Sequence, residues 1–254
     1  MGVARGADLQ YGGRTLEAAA AFWTSCSPHR GALGHGRPDL RGALAFARLV
    51  ARLPRFEVRL SETGAGRRIG AHLAARTVGG LPKHRLAQAV LVVPPSMESY
   101  LSGRSRRATR TNLARAVRAG FAVKELVSLE ERLDALRRNA GDAPTRADRE
   151  WLDLWSQRTG EEGRVWLAAF DQEGSLKALA VATVDMEWAM LEVGIAREHC
   201  ARWLVETAML ERLVQSRALY LLPATGNALS GGPSVRHFQR LMGYTVANLR
   251  VARS

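Results

Sequence analysis

The sequence has few cysteines and no long apolar run. Its 254 residues include only two cysteines, Cys26 and Cys200, which cannot build a disulfide framework or, unaided, a zinc site. We therefore expect reduced thiols, no metal site and a cytoplasmic protein. No apolar run approaches the roughly 20 residues that span a bilayer. The N-terminus also lacks the layout of a signal peptide, so we expect no membrane partner.

Lysine is scarce as well, and arginine carries nearly all of the positive charge. The 37 basic residues include only three lysines, and 24 acidic residues leave a net charge of +13. Residues 1–90 hold 14 basic and 5 acidic side chains, residues 91–120 hold 6 and 1, and residues 121–254 hold 17 and 18. A coding bias explains the choice of Arg over Lys, but it does not explain where acids are missing. This asymmetry indicates a polyanionic partner for the N-terminal elements.

We divide the chain into a basic N-terminal portion, residues 1–90, and a C-terminal portion, residues 91–254. Local patterns in the first portion predict helices and a hairpin. These elements are helices over residues 16–24 and 40–53, and strands over 56–61 and 69–78 around a glycine-containing turn at 62–68. With 46% apolar residues, the whole chain is able to bury a substantial core.

The C-terminal portion alternates strands and helices more clearly. Ser128 with Glu131 forms a capping-box pattern, and Pro233 suits a first helical turn. The predicted helices cover 96 or 99 to 119, 129–139, a segment after Thr145, 201–216 and 233–242. The predicted strands cover 86–93, 121–127, 165–170, 176–185, 189–195, 218–223 and 245–251. This order predicts an α/β protein in which helices flank a mixed sheet.

From residue 165 onward the order is strand, strand, strand, helix, strand, helix, strand, and it resembles the GNAT superfamily of N-acyltransferases. The tail SVRHFQRLMGY, residues 234–244, is similar to the last helix of that family and its leucine-x-glycine-aromatic ending. The segment LSGRSRRATRTNLARAVRAGF, residues 101–121, resembles the arginine-rich stretch of FemX-like relatives. That branch includes enzymes that take the acyl group from aminoacyl-tRNA, although similar segments occur in other GNAT-like proteins.

The resemblance covers about residues 91–251 and implies a GNAT-like fold, with the N-terminal portion as a degenerate half or an extension. It also implies a pyrophosphate loop before the helix at 201, with glycines that let backbone N–H groups approach acyl-CoA. Here residues 197–202 read REHCAR, so Arg197 fits the pattern but Cys200 and Arg202 replace the glycines. Their side chains would crowd acyl-CoA, whereas the Arg202 guanidinium suits a phosphate. This departure favours a tRNA donor.

Six arginines occupy fifteen residues with no acid among them: Arg104, Arg106, Arg107, Arg110, Arg115 and Arg118. We interpret them, with Arg202, as nucleic-acid-binding residues, because guanidinium groups bind phosphate bidentately without reading bases. A solvated basic face is the alternative. A continuous helix would leave Leu113, Ala116 and Val117 free to face the core.

For catalysis, the resemblance implies a strand N–H that polarises the acyl carbonyl, a base for the amine and an acid for the leaving group. Glu192, in an apolar strand, is the candidate base, and an exposed strand residue is the alternative. Gln239 stands where many relatives have an acid tyrosine. His237 and Tyr244 are the candidate substitutes, each with a structural role as the alternative. With a tRNA donor, the vicinal ribose hydroxyl offers a further route.

Three residues are candidates for substrate binding: Asn112, Trp188 and Asn227. Asn112 either orients a ligand carbonyl or caps its own helix, and Trp188, near a turn, is the candidate for stacking on a terminal RNA base. Asn227 opens a glycine-rich loop. His29 and His35 flank another such loop but lack a third ligand, so we treat them as loop residues.

The sequence thus predicts an N-acyltransferase that moves an aminoacyl group from aminoacyl-tRNA to a small-molecule amine and forms an amide. The chain is short for the two full GNAT domains of cell-wall enzymes, which favours a small acceptor, as in natural-product biosynthesis. The expected partners are tRNA and the amine, with no separate cofactor. Two alternatives stay open: an acyl-CoA-dependent N-acetyltransferase and a non-catalytic RNA-binding module. The sequence names neither the amino acid, the acceptor nor the oligomeric state.

Overall fold

A computed structural model describes residues 18–23, 40–77, 80–140, 145–223, 228–229 and 232–252. Its strands, in chain order, are β1 (Arg55–Val58), β2 (Gln88–Val92), β3 (Ala122–Glu125), β4 (Arg164–Phe170), β5 (Leu176–Asp185), β6 (Trp188–Ala196), β7 (Tyr220–Leu222) and β8 (Thr245–Val251). They form one eight-stranded sheet in the order β1-β8-β2-β7-β6-β5-β4-β3. The pairs β1/β8 and β6/β7 are parallel, and the other neighbours are antiparallel.

Helices cover both faces of this sheet. Residues 18–23 are helical and are labelled α1. The others are α2 (Leu40–Arg52), α3 (Gly64–Ala74), α4 (Met97–Leu101), α5 (Arg107–Arg118), α6 (Leu129–Ala140), α7 (Arg146–Ser156), α8 (His199–Val214) and α9 (Pro233–Met242), with a 3₁₀ turn at Arg104–Arg106. The predicted α/β class with a mixed sheet flanked by helices is confirmed, as is the implied order β4, β5, β6, α8, β7, α9, β8.

Local signals place several of these elements as predicted. Glu131 N–H donates to Ser128 Oγ (3.1 Å), and Ser128 N–H donates to Glu131 Oε2 (3.0 Å), which completes the capping box of α6. Pro233 begins α9, and Gly243 ends it in the left-handed region at φ 92°. Both bounds of α9 therefore follow from residues at its ends.

The predicted hairpin over residues 56–78 is wrong, because its second half is helix α3. Thr63 caps this helix by accepting a hydrogen bond from Gly66 N–H (3.2 Å). Ile69 and Leu73, one helical turn apart, are both buried against the sheet. The glycines that indicated a turn lie instead in the first helical turn, where Gly66 leaves room for the Ser61 carbonyl.

The predicted helix from residue 96 to 119 is also divided. Ser96 caps α4, and Gly103, at φ 76°, then breaks the helix before the 3₁₀ turn and α5. The buried face of α5 consists of Thr109, Asn112 and Ala116. Of the three residues expected at the core, only Ala116 is buried, while Val117 is 67% exposed.

The core lies on both faces of the sheet. On the face covered by α8 and α9, here called the α8 face, alanines of β5 such as Ala180 and Ala182 pack beneath Trp203. On the other face, here called the α3 face, one cluster lies under α6 and α7 and another under α3. The polar site described below lies between these two clusters.

The N-terminal portion contributes to the same sheet, since β1 pairs with β8 and β2 pairs with β7 and β8. Strand β2 spans position 90, where the sequence analysis divides the chain; that division stays a prediction. None of the described helices is long and apolar enough to cross a membrane.

Candidate functional site

Strand β6 carries a bulge at the centre of the sheet. Val193 pairs with Val181 of β5 and Leu191 pairs with Ala182, so Glu192 is an extra residue without a partner across the strands. A bulge of this kind re-aims the side chain at the irregularity. It brings the Glu192 carboxylate to Arg164 and Thr183, on the α3 face.

At the same level β6 and β7 part. Their parallel pairing covers only Trp188–Met190 of β6 against Tyr220–Leu222 of β7. Beyond Met190, the β6 edge on this side has no strand partner among the described residues. Backbone N–H and C=O groups at such an edge are available to a ligand.

Arg164 holds the Glu192 carboxylate in a bidentate ion pair. Arg164 Nε donates to Oε1 (3.0 Å) and Nη2 donates to Oε2 (2.9 Å), while the Thr183 hydroxyl also donates to Oε1. The Arg164 side chain is completely buried and the Glu192 side chain is 9% exposed. Arg164 lies directly opposite Thr183 in the β4/β5 register, so the sheet itself aligns all three groups.

A second pair of charges extends this network. Glu161 Oε2 accepts hydrogen bonds from Arg68 Nη1 and forms an ion pair with Arg164 Nη1, both at 2.9 Å. Arg68 also donates to the Glu162 carbonyl (2.6 Å) and to Thr183 Oγ1 (3.3 Å), and its Nε lies 3.8 Å from Glu192 Oε1. Two arginines and two glutamates thus alternate, and their contacts fix one another's positions.

A cavity of about 400 Å³ opens onto this network. Its charged wall consists of Arg68, Arg158, Glu161, Arg164 and Glu192, and its other wall of Ala71, His72, Trp155, Met190 and Leu191. The volume suits a small organic molecule, and the mixture of apolar surface with a few convergent charges is typical of ligand sites.

His72 is neutral at this cavity. Its ring stacks on His84 with centroids 3.9 Å apart. Burial lowers the pKa of His72 to about 4 and, together with the neighbouring His72 and Lys83, lowers that of His84 to about 3. The pair therefore adds no positive charge to the cavity wall at pH 7.

Four residues at this cavity are not indicated by local sequence patterns: Arg164, Arg68, Arg158 and His72. An arginine at the start of an apolar strand is a weak signal, and it gains meaning only opposite a buried carboxylate. Arg68 and His72 lie on α3, which the local pattern predicts as a hairpin.

The arginine cluster divides into two groups by its contacts. Arg106 Nη1 donates to the Leu241 carbonyl (3.0 Å), and Arg110 Nη1 donates to the carbonyls of Leu101 and Gly103, so these two hold neighbouring segments. The remaining four are exposed, and their guanidinium groups have no hydrogen-bond or ion-pair partner within the described part of the chain. The four exposed arginines are Arg104, Arg107, Arg115 and Arg118. Helix α5 packs against α8 and α9, so they border the α8 face.

Residues 197–202 stand where the resemblance implies a pyrophosphate loop, and both arginines of this segment contact other protein groups. Arg197 Nη2 donates to the carbonyls of Arg138 (3.0 Å) and Asn139 (2.7 Å) at the end of α6. Arg202 Nε pairs with Glu206 Oε1 (2.9 Å), and its guanidinium lies 4.0 Å from the Phe238 ring centroid. Burial raises the pKa of Glu206.

The other two catalytic candidates lie apart from Glu192. Tyr244 belongs to the core of the α8 face, and burial raises its pKa well above the ordinary value of 10, so its hydroxyl stays protonated. His237 is exposed on α9, with Nδ1 3.1 Å from Arg240 Nη2. The structure therefore separates Tyr244 from Glu192 by the sheet.

The substrate-binding candidates also differ in placement. Asn112 is buried, and its Nδ2 donates to the Ala108 carbonyl of its own helix (2.9 Å). Trp188 is completely buried and stacks on Tyr220 with centroids 4.6 Å apart, so it presents no free face to a base. Asn227, His29 and His35 lie outside the described residues. Within the described ranges, no group of three His, Cys, Asp or Glu residues is able to hold a metal ion.

No protein-family model and no curated protein matches this chain. Several solved structures are similar to it. A conserved protein of unknown function from Bacteroides thetaiotaomicron VPI-5482 aligns with TM-score 0.44 and 13% identity, over 71% of this chain and 67% of that one. L-PGS from Bacillus licheniformis aligns with TM-score 0.42 and 11% identity, over 63% of this chain and 57% of that one.

The aminoglycoside 6'-N-acetyltransferase AAC(6')-Ih from Acinetobacter baumannii aligns with TM-score 0.38 and 16% identity, over 53% of this chain and 97% of that one. The chain thus spans little more than half the length of L-PGS and nearly all of the acetyltransferase. These distant likenesses concern the arrangement of the fold alone.

Proposed function

We propose that the protein is an N-acyltransferase that moves an aminoacyl group from aminoacyl-tRNA to a small-molecule amine. The observation that carries this proposal is the site on β6. There, a strand edge without a partner among the described residues offers backbone N–H groups to an acyl carbonyl, and the bulge at the same level presents the Glu192 carboxylate to a cavity. Preorganised donors of this kind stabilise the oxyanion that forms during acyl transfer.

The reaction needs few side chains. The acceptor enters the cavity as an ammonium ion, hydrogen-bonds to Glu192 and gives one proton through it to solvent. The free amine attacks the ester carbonyl, a C–N bond forms, and the C–O bond to the ribose breaks. The second amine proton is returned to the ribose oxygen as it leaves.

The charge distribution supports tRNA as the donor. Four exposed arginines without ion-pair partners in the described structure border the α8 face, and the Glu192 cavity opens on the opposite face. The donor would approach from one face and the acceptor from the other, and both would meet at the β6 edge. Arginine without base-specific contacts suits a phosphate backbone.

The contacts of Arg197 and the side chain of Cys200 weigh against acyl-CoA as the donor. Arg197 is bound to the end of α6, and the partly exposed Cys200 side chain stands where a glycine would admit a pyrophosphate. An acyl-CoA donor that bound Arg197 would therefore have to displace its hydrogen bonds to the end of α6.

Purified protein incubated with charged tRNA and a mixture of small amines tests the proposal. We expect an amide product that prior RNase treatment abolishes, and binding to tRNA that weakens with salt but exceeds binding to duplex DNA of similar charge. Salt-independent binding of CoA with acyl transfer from acyl-CoA would overturn the donor assignment. Equal binding of tRNA and DNA without any product would indicate a non-catalytic nucleic-acid-binding protein instead.

A further inference from the structure

The cavity beside Glu192 carries one positive charge that none of its described lining residues neutralises. Three arginines line it, Arg68, Arg158 and Arg164, against two glutamates, Glu161 and Glu192. Arg68 and Arg164 are both paired with these glutamates at 2.9 Å. The lining histidine, His72, is neutral at pH 7 for the reasons given above. The excess charge therefore belongs to Arg158.

The Arg158 guanidinium is oriented but unpaired. It lies 5.8 Å from the centroid of the Trp155 ring, within the range of a cation–π contact. No carboxylate or carbonyl among the described residues accepts a hydrogen bond from it. Its backbone carbonyl accepts from Arg164 Nη1 (2.7 Å), which ties this residue to the arginine that holds Glu192. Guanidinium in this situation suits a planar, bidentate anion such as a carboxylate.

We infer that the acceptor is a small amino acid, whose carboxylate binds Arg158 while its amine binds Glu192. This inference rests on the proposed function, which assigns the amine to Glu192. An amino acid whose amine has given up its proton carries the single negative charge that the wall leaves unmatched, whereas a phosphate monoester would need a second free cation, which the lining residues named above do not supply. The volume of about 400 Å³ accommodates one amino acid with a side chain against Trp155 and Met190.

Matched acceptor sets test this inference. One set holds the twenty standard amino acids, a second their carboxamides and a third the amines left after removal of the carboxylate. Each set is given to the wild-type protein with charged tRNA and, separately, with acetyl-CoA. We expect acylation to be confined to the amino acids, because only they pair with Arg158. Equal acylation of carboxamides or plain amines would overturn the inference and leave the acyltransferase proposal standing.

The variant Arg158→Gln removes the charge and keeps a polar side chain. We expect its kcat/KM for the amino acid to fall about 10- to 100-fold, as for loss of a hydrogen bond to a charged group. The ratio of kcat/KM for the amino acid to kcat/KM for its carboxamide should approach one. Arg149→Gln, which changes an exposed arginine of α7 outside the cavity, is the matched control and should retain the wild-type ratio. An unchanged ratio in Arg158→Gln would overturn the inference.

Binding without any donor separates the two proposals. In equilibrium dialysis, amino acids should bind the wild-type protein more tightly than their carboxamides and should lose this advantage in Arg158→Gln. If this binding occurs and no acyl transfer follows with either donor, the acyltransferase proposal fails and the amino-acid site stands. If transfer occurs without carboxylate-dependent binding, the amino-acid site fails.

Discussion

At the scale of single residues, the central feature is a carboxylate that two strands and a bulge hold in place. Glu192 is bound through both oxygens by Arg164 and through one by Thr183. Such a buried pair is costly to break, because removal of either partner leaves an uncompensated charge. The same contacts place the carboxylate at the cavity wall, where a ligand ammonium ion would meet it.

The substitution Glu192→Gln tests this residue. It keeps the size of the side chain but removes the proton acceptor and the charge paired with Arg164. We therefore expect kcat to fall by about 10²- to 10⁴-fold, the usual contribution of general acid–base catalysis, and the free energy of unfolding to decrease. Binding of tRNA, measured by fluorescence anisotropy, should not change. Glu211→Gln, on the exposed face of α8, is the control and should keep wild-type turnover.

Two outcomes of that experiment decide the role of Glu192. Wild-type turnover in the Glu192→Gln variant would remove the residue from the mechanism. A loss of tRNA binding parallel to the loss of turnover would show a general effect on folding, which thermal unfolding of the same preparations would register.

At the scale of elements, α5 and α3 lie on opposite faces of the sheet, and each carries charged side chains. Helix α5 buries Thr109, Asn112 and Ala116, and this leaves Arg107 and Arg118 on its exposed side. Helix α3 buries Ile69 and Leu73 and brings Arg68 and His72 to the cavity. Each helix thus buries one side in the core and leaves charged residues on another, and the proposed function assigns those residues to ligand binding.

The paired substitution Arg107→Ala with Arg118→Ala tests the α5 surface. Each lost phosphate contact should weaken tRNA binding and reduce the slope of log K against log salt by about one. Filter binding across a salt series gives that slope. The control pair Arg137→Ala with Arg149→Ala, on α6 and α7, carries the same change of charge and should leave the slope near the wild-type value. If both double variants gave the same slope, the α5 arginines would contribute no more to tRNA binding than other exposed arginines.

Helix α3 allows a matched test of backbone packing. At Gly66 a methyl carbon would lie 2.1 Å from the Ser61 carbonyl oxygen, whereas at Gly70 its nearest neighbour would be a Leu60 methyl group at 3.5 Å. We expect Gly66→Ala to destabilise the protein by about 1–3 kcal/mol through overpacking. Gly70→Ala should stabilise it by about 0.5–1 kcal/mol, because alanine is the better helix former.

Urea unfolding followed by circular dichroism measures both changes. If the region formed the hairpin that the local pattern predicts, the two substitutions would have no reason to differ in sign. Similar effects for both variants would therefore contradict the assigned packing of α3.

At the scale of the whole molecule, one sheet separates a basic side from a cavity side. The α5 arginines border the face of α8 and α9, and the Glu192 cavity lies on the face of α3 and α7. The parting of β6 from β7 lies between them. Under the proposed function, this division would let tRNA and a small amine reach one strand edge without competing for the same surface.

Global stability should depend on pH through the stacked histidines. The pKa of His72 is lowered to about 4 and that of His84 to about 3, against an ordinary value of 6.5 in the unfolded chain. Their contribution to stability is therefore complete above pH 6.5 and is lost as the pH falls toward 4 and below. We expect Tm to decrease between pH 7.5 and pH 5.

The variant His84→Phe keeps a stacked ring that cannot take up a proton. Its Tm should decrease less over the same pH interval than that of the wild type, as measured by scanning calorimetry. His237→Phe, at an exposed position, is the control and should follow the wild type. A full wild-type decrease in His84→Phe would contradict the role given to this pair.

Local chemistry was sufficient for much of the fold. The Ser128–Glu131 capping box begins α6, Pro233 and Gly243 bound α9, and the apolar run 176–185 is β5, because each of these signals acts within a few residues. The same reasoning failed at residues 62–78. There the glycines indicate a turn, and the helix is stabilised instead by the Thr63 cap and by burial of Ile69 against the sheet.

Sequence patterns alone indicate where acids are missing, most of the strands and helices, and the position of Glu192 in an apolar strand. Only the tertiary structure decided its partners. Arg164 lies 28 residues away and Arg68 more than a hundred, and neither spacing indicates a contact. Strand register, a one-residue bulge and the packing of α3 bring these charges together, because in a sheet the side-chain neighbours are set by pairing between strands and not by distance along the chain.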